Sequence, residues 1–255
     1  MQIRVLGCST SEMPNVYLSS FLVDGKLLFD AGTILSALNE NECSNIKHIF
    51  ISHAHLDHIK DLPFFAENII ITEKKQNLQV MSIPEVTEAL RNNLFNNVLW
   101  PDYTKIPTPE SPTVVFENMV AGKTMHIDDH KITAYKVNHT VPAVGYLVED
   151  SKGKRLLYLG DSGPSNAIWE SLNGTKIHGL IIEVSFPDKL MSLAAKTGHL
   201  TPSLLMSEID KLDNMPENIF ITHCKPQFKT NIVEELEKLN ISNLGILSCG
   251  ACFEI

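Results

Sequence analysis

The chain has 255 residues, 44% of them hydrophobic and 20% charged, and its formal net charge is −9. This length and composition are those of a globular protein that can bury a large core. The negative charge argues against a nucleic-acid polyanion as the main partner, but it permits a small, singly charged substrate. The sequence has no apolar run of about 18 residues, so we expect neither a membrane span nor a membrane partner.

The cysteines predict a reducing compartment. There are 5 of them, an odd number, and their spacing does not resemble a secreted disulfide framework. Residues 1–6 alternate like a strand and leave no room for a signal peptide, so we expect a cytoplasmic protein. Cys249 and Cys252 form a C-x-x-C motif without the βαβ context of redox motifs. We interpret them as small buried residues near the last strand.

In the first part of the chain, alternation and turn signals predict strands over 1–6, 20–23, 26–29, 48–52 and 68–72. Thr33 is expected to cap a short helix that ends at Leu38. Residues 57–67 read as a helix interrupted near Pro63. From 73 to about 112 the pattern loosens around a candidate helix over 84–94. We expect this segment to be an insertion or cap over the site.

The second part of the chain reads as strands joined by helices. The predicted strands cover 113–117, 123–127, 131–137, 145–149, 155–159, 179–184, 218–222, 245–247 and 251–254. The predicted helices cover 166–172, 202–212 and 230–239. The sequence contains no repeat, low-complexity tract or clear linker, so a single domain over 1–255 is predicted.

The most informative stretch is His53-Ala54-His55-Leu56-Asp57-His58. In an extended backbone, side chains two residues apart point to the same side, so His53 and His55 can reach one point. Asp57 and His58 begin the predicted helix and can address a second point. Nitrogen and carboxylate ligands around two such points suit a pair of zinc-like ions, about 3.5–4 Å apart. The alternative is a polar helix start whose histidines face solvent.

Further metal ligands are expected at the ends of strands. His139, Asp161 and His223 each follow an apolar predicted strand. Several strands of one sheet can deliver such residues to the same edge. These three residues therefore complete the candidate ligand set that begins at His53.

This ordered set resembles the metallo-β-lactamase superfamily over nearly the whole chain, from Leu6-Gly7-Cys8 to His223. The resemblance implies a mixed α/β fold, an αββα sandwich of two mixed β-sheets flanked by helices. It also implies two divalent metal ions, with Zn²⁺ as the preferred metal and Mn²⁺ or Fe²⁺ as alternatives. The implied ligands are His53, His55 and His139 for one metal and Asp57, His58 and His223 for the other, with Asp161 bridging both.

A second stretch suggests acid–base chemistry. Glu183 ends a predicted strand, and His199 precedes the helix that starts at Thr201-Pro202. If the intervening loop folds back, the two form a carboxylate–histidine pair that favours the protonated imidazole. Such an imidazole is a suitable general acid for an alkoxide leaving group. The alternative is a surface histidine and an unrelated strand-end glutamate.

The residues of these motifs indicate which branch of the superfamily the sequence resembles. Residues 183–186 (Glu-Val-Ser-Phe) and 198–202 (Gly-His-Leu-Thr-Pro) are similar to phosphodiesterase branches of the superfamily, including tRNase Z. Together with residues 53–59 and 221–226, they look most like class II 3′,5′-cyclic-nucleotide phosphodiesterases. The sequence departs from tRNase Z at Ile182, where that family has histidine.

The implied reaction is hydrolysis of cAMP or cGMP to a nucleoside 5′-monophosphate. A hydroxide between the metals would attack phosphorus, Asp57 would accept a hydrogen bond from it, and His199, held by Glu183, would protonate the departing 3′ oxygen. The second candidate is a tRNase Z-like phosphodiesterase. Such an enzyme needs a basic surface that binds RNA, and only residues 74–75 and 152–155 could contribute to one. A thioester or lactam hydrolase and an inactive ligand sensor are weaker alternatives. A homodimer is the candidate assembly.

Overall fold

The computed structural model describes residues 1–72 and 77–255. Within them, two seven-stranded mixed sheets face each other. In order of pairing, the first sheet contains β16 (Cys252–Glu254), β1 (Gln2–Gly7), β2 (Ser20–Val23), β3 (Leu27–Phe29), β4 (His48–Phe50), β5 (Leu78–Ser82) and β8 (Val114–Asn118). The second contains β15 (Leu244–Ile246), β14 (Ile219–Thr222), β13 (Gly179–Glu183), β12 (Arg155–Tyr158), β11 (Val144–Glu149), β10 (His130–Lys136) and β9 (Thr124–Ile127). A small ribbon pairs β6 (Pro107–Thr108) with β7 (Ser111–Pro112).

The described residues form α1 (Glu40–Asn45), α2 (Leu56–Ile59), α3 (Leu62–Ile71), α4 (Pro84–Asn93), α5 (Ala167–Ser171), α6 (Met191–Lys196), α7 (Pro202–Ile209) and α8 (Lys229–Lys238). Apolar residues of α3 and α4 join the core of the first sheet, and those of α5, α7 and α8 pack on the second. The αββα sandwich expected from the sequence is confirmed. No helix of the described residues is both long and apolar enough to cross a bilayer.

Aromatic side chains join the two sheets directly behind the metal-binding motif. Phe29 of β3 stacks on Phe50 of β4 with 4.9 Å between ring centroids. Tyr146 of β11 approaches both rings, and its hydroxyl donates to the carbonyl of Ile51 over 2.6 Å. The rings of Phe29, Phe50 and Tyr146 are all fully buried. The strand that leads into the motif is therefore fixed from both sheets.

The sheet topology explains why the candidate ligands meet. In the first sheet, β3, β4 and β5 run parallel to one another, and in the second, β12, β13 and β14 do the same. Parallel neighbours end at the same edge of a sheet. Residues that follow these strands are therefore delivered to one edge of the sandwich, as in other open α/β sheets.

Most predicted elements are present, but two are wrong. Residues 33–38 form turns instead of a helix, because Thr33 Oγ1 accepts a hydrogen bond from Leu18 N at 3.0 Å instead of capping a helix. Residues 68–72, predicted as a strand, are the last turn and end of α3. The β-branched run 69–71 indicated a strand, but Phe65 and Ile69 lie on the buried face of the helix.

The segment 73–112 contributes to the sandwich as well as to its surface. β5, which the sequence analysis missed, pairs with β4 on one side and β8 on the other. Residues 78–82 are therefore a central strand and not part of an insertion. After α4, Tyr103 is buried and Trp100 packs edge-on against Phe64 with ring centroids 4.9 Å apart, so both rings serve packing. Residues 73–76 of this segment lie outside the described part of the chain.

Candidate metal centre

Three imidazoles and one carboxylate oxygen lie close enough together to hold a metal ion, and we call them the first ligand group: His53 Nε2, His55 Nδ1, His139 Nε2 and Asp161 Oδ2. His55 Nδ1 lies 3.0 Å from His53 Nε2 and 3.3 Å from His139 Nε2. Asp161 Oδ2 lies 3.7 Å from His53 Nε2 and 3.9 Å from His139 Nε2. Ligating atoms of this group are all within 4.8 Å of one another. The extended backbone after β4 presents His53 and His55 to one side, as the sequence predicts.

The second ligand group contains Asp57 Oδ2, His58 Nε2, His223 Nε2 and Asp161 Oδ1. His223 Nε2 is 3.2 Å from Asp57 Oδ2, 3.3 Å from His58 Nε2 and 3.1 Å from Asp161 Oδ1. α2 begins between His55 and Asp57 and changes the direction of the chain. Asp161 contributes one oxygen to each group, which is the geometry of a bridging carboxylate.

The chemistry of these atoms fits divalent metal ions. Asp161 Oδ1 is buried and has no hydrogen-bond partner among the described residues, although two imidazole nitrogens lie close to it. Burial alone would raise the pKa of Asp161, but the charges of His223 and His58 outweigh it and hold that pKa well below its usual range. Burial also keeps the pKa of His53 well below its usual value, so its imidazole is neutral and able to bind metal. Imidazole and carboxylate donors in this number suit zinc and related ions.

A buried aspartate directly behind His58 orients that ligand. His58 Nδ1 donates to Asp30 Oδ2 over 2.6 Å. Asp30 Oδ2 also accepts hydrogen bonds from the Ser52 hydroxyl, at 2.8 Å, and from the Tyr158 hydroxyl, while Asp30 Oδ1 accepts from Ser52 N at 2.7 Å. Asp30 is fully buried. Its position leaves His58 Nε2 as the ligating nitrogen.

His223 is supported through a serine. Its Nδ1 donates to Ser185 Oγ over 2.9 Å, and Ser185 Oγ donates to Glu183 Oε2 over 2.6 Å. Glu183 and Ser185 are fully buried. The backbone of His223 is left-handed, with φ of 61°, and its N–H donates to the carbonyl of Cys8 at 2.9 Å. A non-glycine residue in this region marks a position that the surrounding structure has to hold.

Support for the first ligand group is lighter. His53 Nδ1 donates to Ser52 Oγ over 3.0 Å. His139 Nδ1 donates to the carbonyl of Gly198 over 2.9 Å. Gly198 has φ of +67°, and a Cβ there would lie 2.8 Å from His139 Cα, so only glycine permits this approach. His55 is half-buried.

Glu183 also holds His199, as the sequence predicts. α6 lies within the loop between them and folds it back, so that His199 Nδ1 donates to Glu183 Oε1 over 2.5 Å. Burial disfavours the charged imidazole, but the charge of Glu183 and this hydrogen bond outweigh it and raise the pKa of His199. The same ring nitrogen is 4.0 Å from Asp161 Oδ2. His199 therefore lies next to Asp161, but its Nδ1 is hydrogen-bonded to Glu183 and does not belong to either ligand group.

An aromatic wall with a cation adjoins His199. The ring of Phe186 is 5.7 Å from the imidazole of His199 and 6.3 Å from the ring of Phe228. Lys225 Nζ lies over the Phe186 ring, 5.0 Å from its centroid, in a cation–π contact. We call Phe186, Lys225 and Phe228 the aromatic wall.

Comparison with known families decides the classification. The model of the family described as "Beta-lactamase superfamily domain" matches residues 26–224, most of the chain. The chain belongs to the β-lactamase superfamily. This confirms the resemblance inferred from the sequence.

Two named activities recur among the similar proteins. A Yersinia pestis protein named probable 3′,5′-cyclic-nucleotide phosphodiesterase is 26% identical over 223 residues, which cover 78% of this chain and 62% of that protein. A ribonuclease Z of Pyrococcus horikoshii is 28% identical over 192 residues, covering 69% and 59%. The match thus spans about three-fifths of these relatives. In fold, the chain is similar to unliganded yeast PDE1, with a TM-score of 0.83, 17% identity, and 100% and 99% of the two chains covered.

The structure brings every candidate residue of this superfamily member to one edge. These residues are His53, His55, Asp57, His58, His139, Asp161, Glu183, His199 and His223. The supporting residues Asp30, Ser52, Tyr158 and Ser185 were not predicted from the sequence. Asp30 had a usable signal, because it follows the apolar strand β3 as Asp161 follows β12.

Proposed function

We propose that the protein is a hydrolase, a metal-dependent phosphodiesterase that converts 3′,5′-cyclic nucleotides such as cAMP or cGMP to nucleoside 5′-monophosphates. The observation that carries this proposal is the Glu183–His199 pair, joined at 2.5 Å and set beside Asp161. A held imidazole of raised pKa is a proton donor for an alkoxide leaving group. The relative from Yersinia pestis supports the choice of substrate.

We assign two divalent metal ions to the two ligand groups. Zn²⁺ is the preferred metal, and Mn²⁺ and Fe²⁺ are alternatives. Bound there, such ions supply an activated water and neutralise charge on the phosphoryl oxygens. A quarter of the Asp57 side chain is exposed (25%), so this carboxylate is open to solvent at the ligand edge. It is positioned to accept a hydrogen bond from the attacking water and to direct that water at phosphorus.

His199 protonates the leaving group in this proposal. Its Nδ1 is engaged by Glu183, and among the described residues its Nε2 has no hydrogen-bond partner. The side chain remains 12% exposed, so Nε2 is available to a substrate in the cleft. Protonation at the 3′ oxygen releases a nucleoside 5′-monophosphate, and a cleft water restores the proton afterwards.

The aromatic wall can bind the substrate. Lys225 is fixed over Phe186 next to His199, so its ammonium group can pair with the phosphate anion. Phe228 is only partly buried, so its ring can contact the nucleoside, whereas Phe186 and Phe65 are buried, with 7% and 1% of their surface exposed.

Charge favours a small nucleotide over RNA. In the basic stretch 152–155, Lys154 lies 3.8 Å from a carboxylate oxygen of Glu217, and Arg155 pairs with Glu149 at 2.6 Å. These carboxylates neutralise the charge that an RNA exosite would need. The other basic candidate, 74–75, lies outside the described residues. A tRNase Z-like activity is the second candidate, favoured by the ribonuclease Z relative.

The test is turnover of 3′,5′-cAMP and 3′,5′-cGMP by zinc-loaded protein, with the nucleoside monophosphates separated by chromatography. We expect the 5′-monophosphate, and we expect turnover to vanish in His139→Ala. His126→Ala changes an exposed histidine of β9 outside the ligand groups and is the matched control. A short precursor tRNA is assayed in parallel.

Each outcome decides between the candidates. Cleavage of the RNA without nucleotide turnover would contradict the proposal and favour the tRNase Z-like activity. A 3′-monophosphate product would contradict the role given to His199. Fewer than about one metal equivalent per chain after reloading would favour a ligand sensor over an enzyme. The homodimer stays a prediction, for which sedimentation of the loaded protein is the check.

A further inference from the structure

Two thiols from opposite ends of the chain meet behind His223. Cys8 follows β1, and Cys249 lies in the loop before β16, yet their Sγ atoms are only 3.9 Å apart. The N–H of Tyr17 points at the sulfur of Cys249 from 3.4 Å. A disulfide has a sulfur separation of about 2.0 Å, so Cys8 and Cys249 have to move toward each other for the bond to form.

A cavity gives small molecules access to this pair. It has a volume of about 320 Å³, and Cys8 and Cys249 both line it, together with Cys224, Lys229 and Met13. Cys8 and Cys249 are only half-buried, whereas Cys224 is buried. The cavity is separate from the two ligand groups, because none of the proposed metal ligands lines it.

The environment makes one of the three cavity thiols reactive. The hydrogen bond from Cys8 lowers the pKa of Cys249 to about 6, with smaller help from the Lys229 charge. The N–H of Tyr17 and the thiol of Cys8 both point at the Cys249 sulfur, and these contacts stabilise a thiolate there. Because the thiolate is the nucleophile, Cys249 is the attacking residue and Cys8 the resolving one.

We propose that Cys8 and Cys249 form a peroxide-reactive dithiol site. The Cys249 thiolate attacks one oxygen of a hydroperoxide, breaks the O–O bond and becomes a sulfenic acid, while the other oxygen leaves as an alcohol or water after protonation. The Cys8 sulfur then attacks the Cys249 sulfur and forms the disulfide. The hydroxyl of the sulfenic acid leaves as water with the Cys8 proton. The peroxide is thereby reduced by two electrons and the dithiol is oxidised.

The site is one hydrogen bond from the second ligand group. The carbonyl of Cys8 accepts the N–H of His223, whose left-handed backbone has to be held from outside. Moving Cys8 toward Cys249 changes this support. We therefore include in the proposal that the disulfide weakens zinc binding at the second ligand group, without removing any ligand.

The experiment treats the zinc-loaded protein with one equivalent of hydrogen peroxide, blocks remaining thiols with iodoacetamide, and maps disulfides by peptide mass spectrometry. We expect a Cys8–Cys249 bridge that dithiothreitol reverses. In Cys8→Ser we expect a dimedone adduct on Cys249, because the sulfenic acid then persists. Cys252→Ser is the matched control, since Cys252 is the exposed member of the C-x-x-C motif and should not matter.

Two results would overturn the proposal. If iodoacetamide blocks both Cys8 and Cys249 after peroxide, the pair is not redox-active, and a Cys249–Cys252 bridge would assign the chemistry to the sequence motif instead. Zinc affinity of the oxidised and reduced protein is then compared with a competing chelator, where we expect a loss of about tenfold at one of the two equivalents. Equal affinities would overturn the link to the metal centre.

Discussion

The two ligand groups differ in how many of their imidazoles are hydrogen-bonded, directly or through a serine, to a buried carboxylate. In the first group only His53 is, because it donates to Ser52, which donates to Asp30. In the second group both imidazoles are. His58 reaches Asp30 directly, and His223 reaches Glu183 through Ser185. In the first group, a backbone carbonyl supports His139, and His55 is half-buried.

This difference has a chemical meaning. A carboxylate behind an imidazole fixes its tautomer and makes the ligating nitrogen more basic, which strengthens metal binding. A carbonyl fixes the tautomer with less effect on basicity. We infer that the second group is the tighter metal site and the first the looser one. Glu183 belongs to this difference as well, because it supports both His223 and the proposed acid His199.

Replacing Asp30 should have the largest effect, because this carboxylate serves both ligand groups. Asp30→Ala leaves the hydroxyls of Ser52 and Tyr158 and the imidazole of His58 buried without their acceptor. Removing one partner of such a buried charged network costs about 3–5 kcal/mol. We expect that loss in the free energy of unfolding of the metal-free protein, measured with urea.

The control for this change is Asp213→Ala, at an exposed aspartate. Its free energy of unfolding should stay within about 0.5 kcal/mol of wild type. A loss below about 1 kcal/mol in Asp30→Ala would show that the network is not a main support of the fold.

Ser185 should show a smaller effect that is confined to the second ligand group. Ser185→Ala removes the hydroxyl between His223 and Glu183, so one of two zinc equivalents should bind about 10–100-fold more weakly. Ser185→Thr keeps the hydroxyl and should restore most of that affinity. If both equivalents weaken alike, the serine acts on the whole site, and the comparison between the groups fails.

Stepwise removal of zinc should show the smallest effect. We expect the zinc affinities of the two ligand groups to differ about tenfold. We expect a chelator titration, followed with a zinc-sensitive dye, to release one equivalent before the other. His55→Ala should remove the early release, because His55 belongs to the first group. Asp57→Ala should remove the late one. The reverse assignment would contradict the inferred order of affinities.

The meeting of the candidate ligands at one edge was predictable, because the sequence patterns that indicate it are local. His53 and His55 are two residues apart on extended chain, and His139, Asp161 and His223 each follow an apolar run. Parallel strands then bring such positions to one edge, as the topology of β12, β13 and β14 shows. A local pattern combined with a general rule of sheet geometry was sufficient to predict that these side chains meet, whereas their individual roles as metal ligands are implied by the resemblance and stay a prediction.

The supporting contacts were not predictable, because they join distant residues. Ser185 and His223 are separated by 38 positions, and Cys8 and Cys249 by 241. The C-x-x-C motif even pointed away from that pair: Cys249 is half-buried beside Cys8, and Cys252 is exposed, so the interpretation of both as small buried residues is wrong. Only the folded chain identifies these partners.

The most direct test of the proposed mechanism compares two substrates in His199→Ala. Against 3′,5′-cAMP, whose alkoxide must be protonated as it leaves, we expect kcat to fall roughly 10²–10⁴-fold. Against bis(p-nitrophenyl) phosphate, whose phenolate leaves without a proton, we expect a fall of less than about tenfold. Zinc content should match wild type and the His126→Ala control. An equal loss on both substrates, or a loss of zinc, would contradict the assignment of His199 as the general acid.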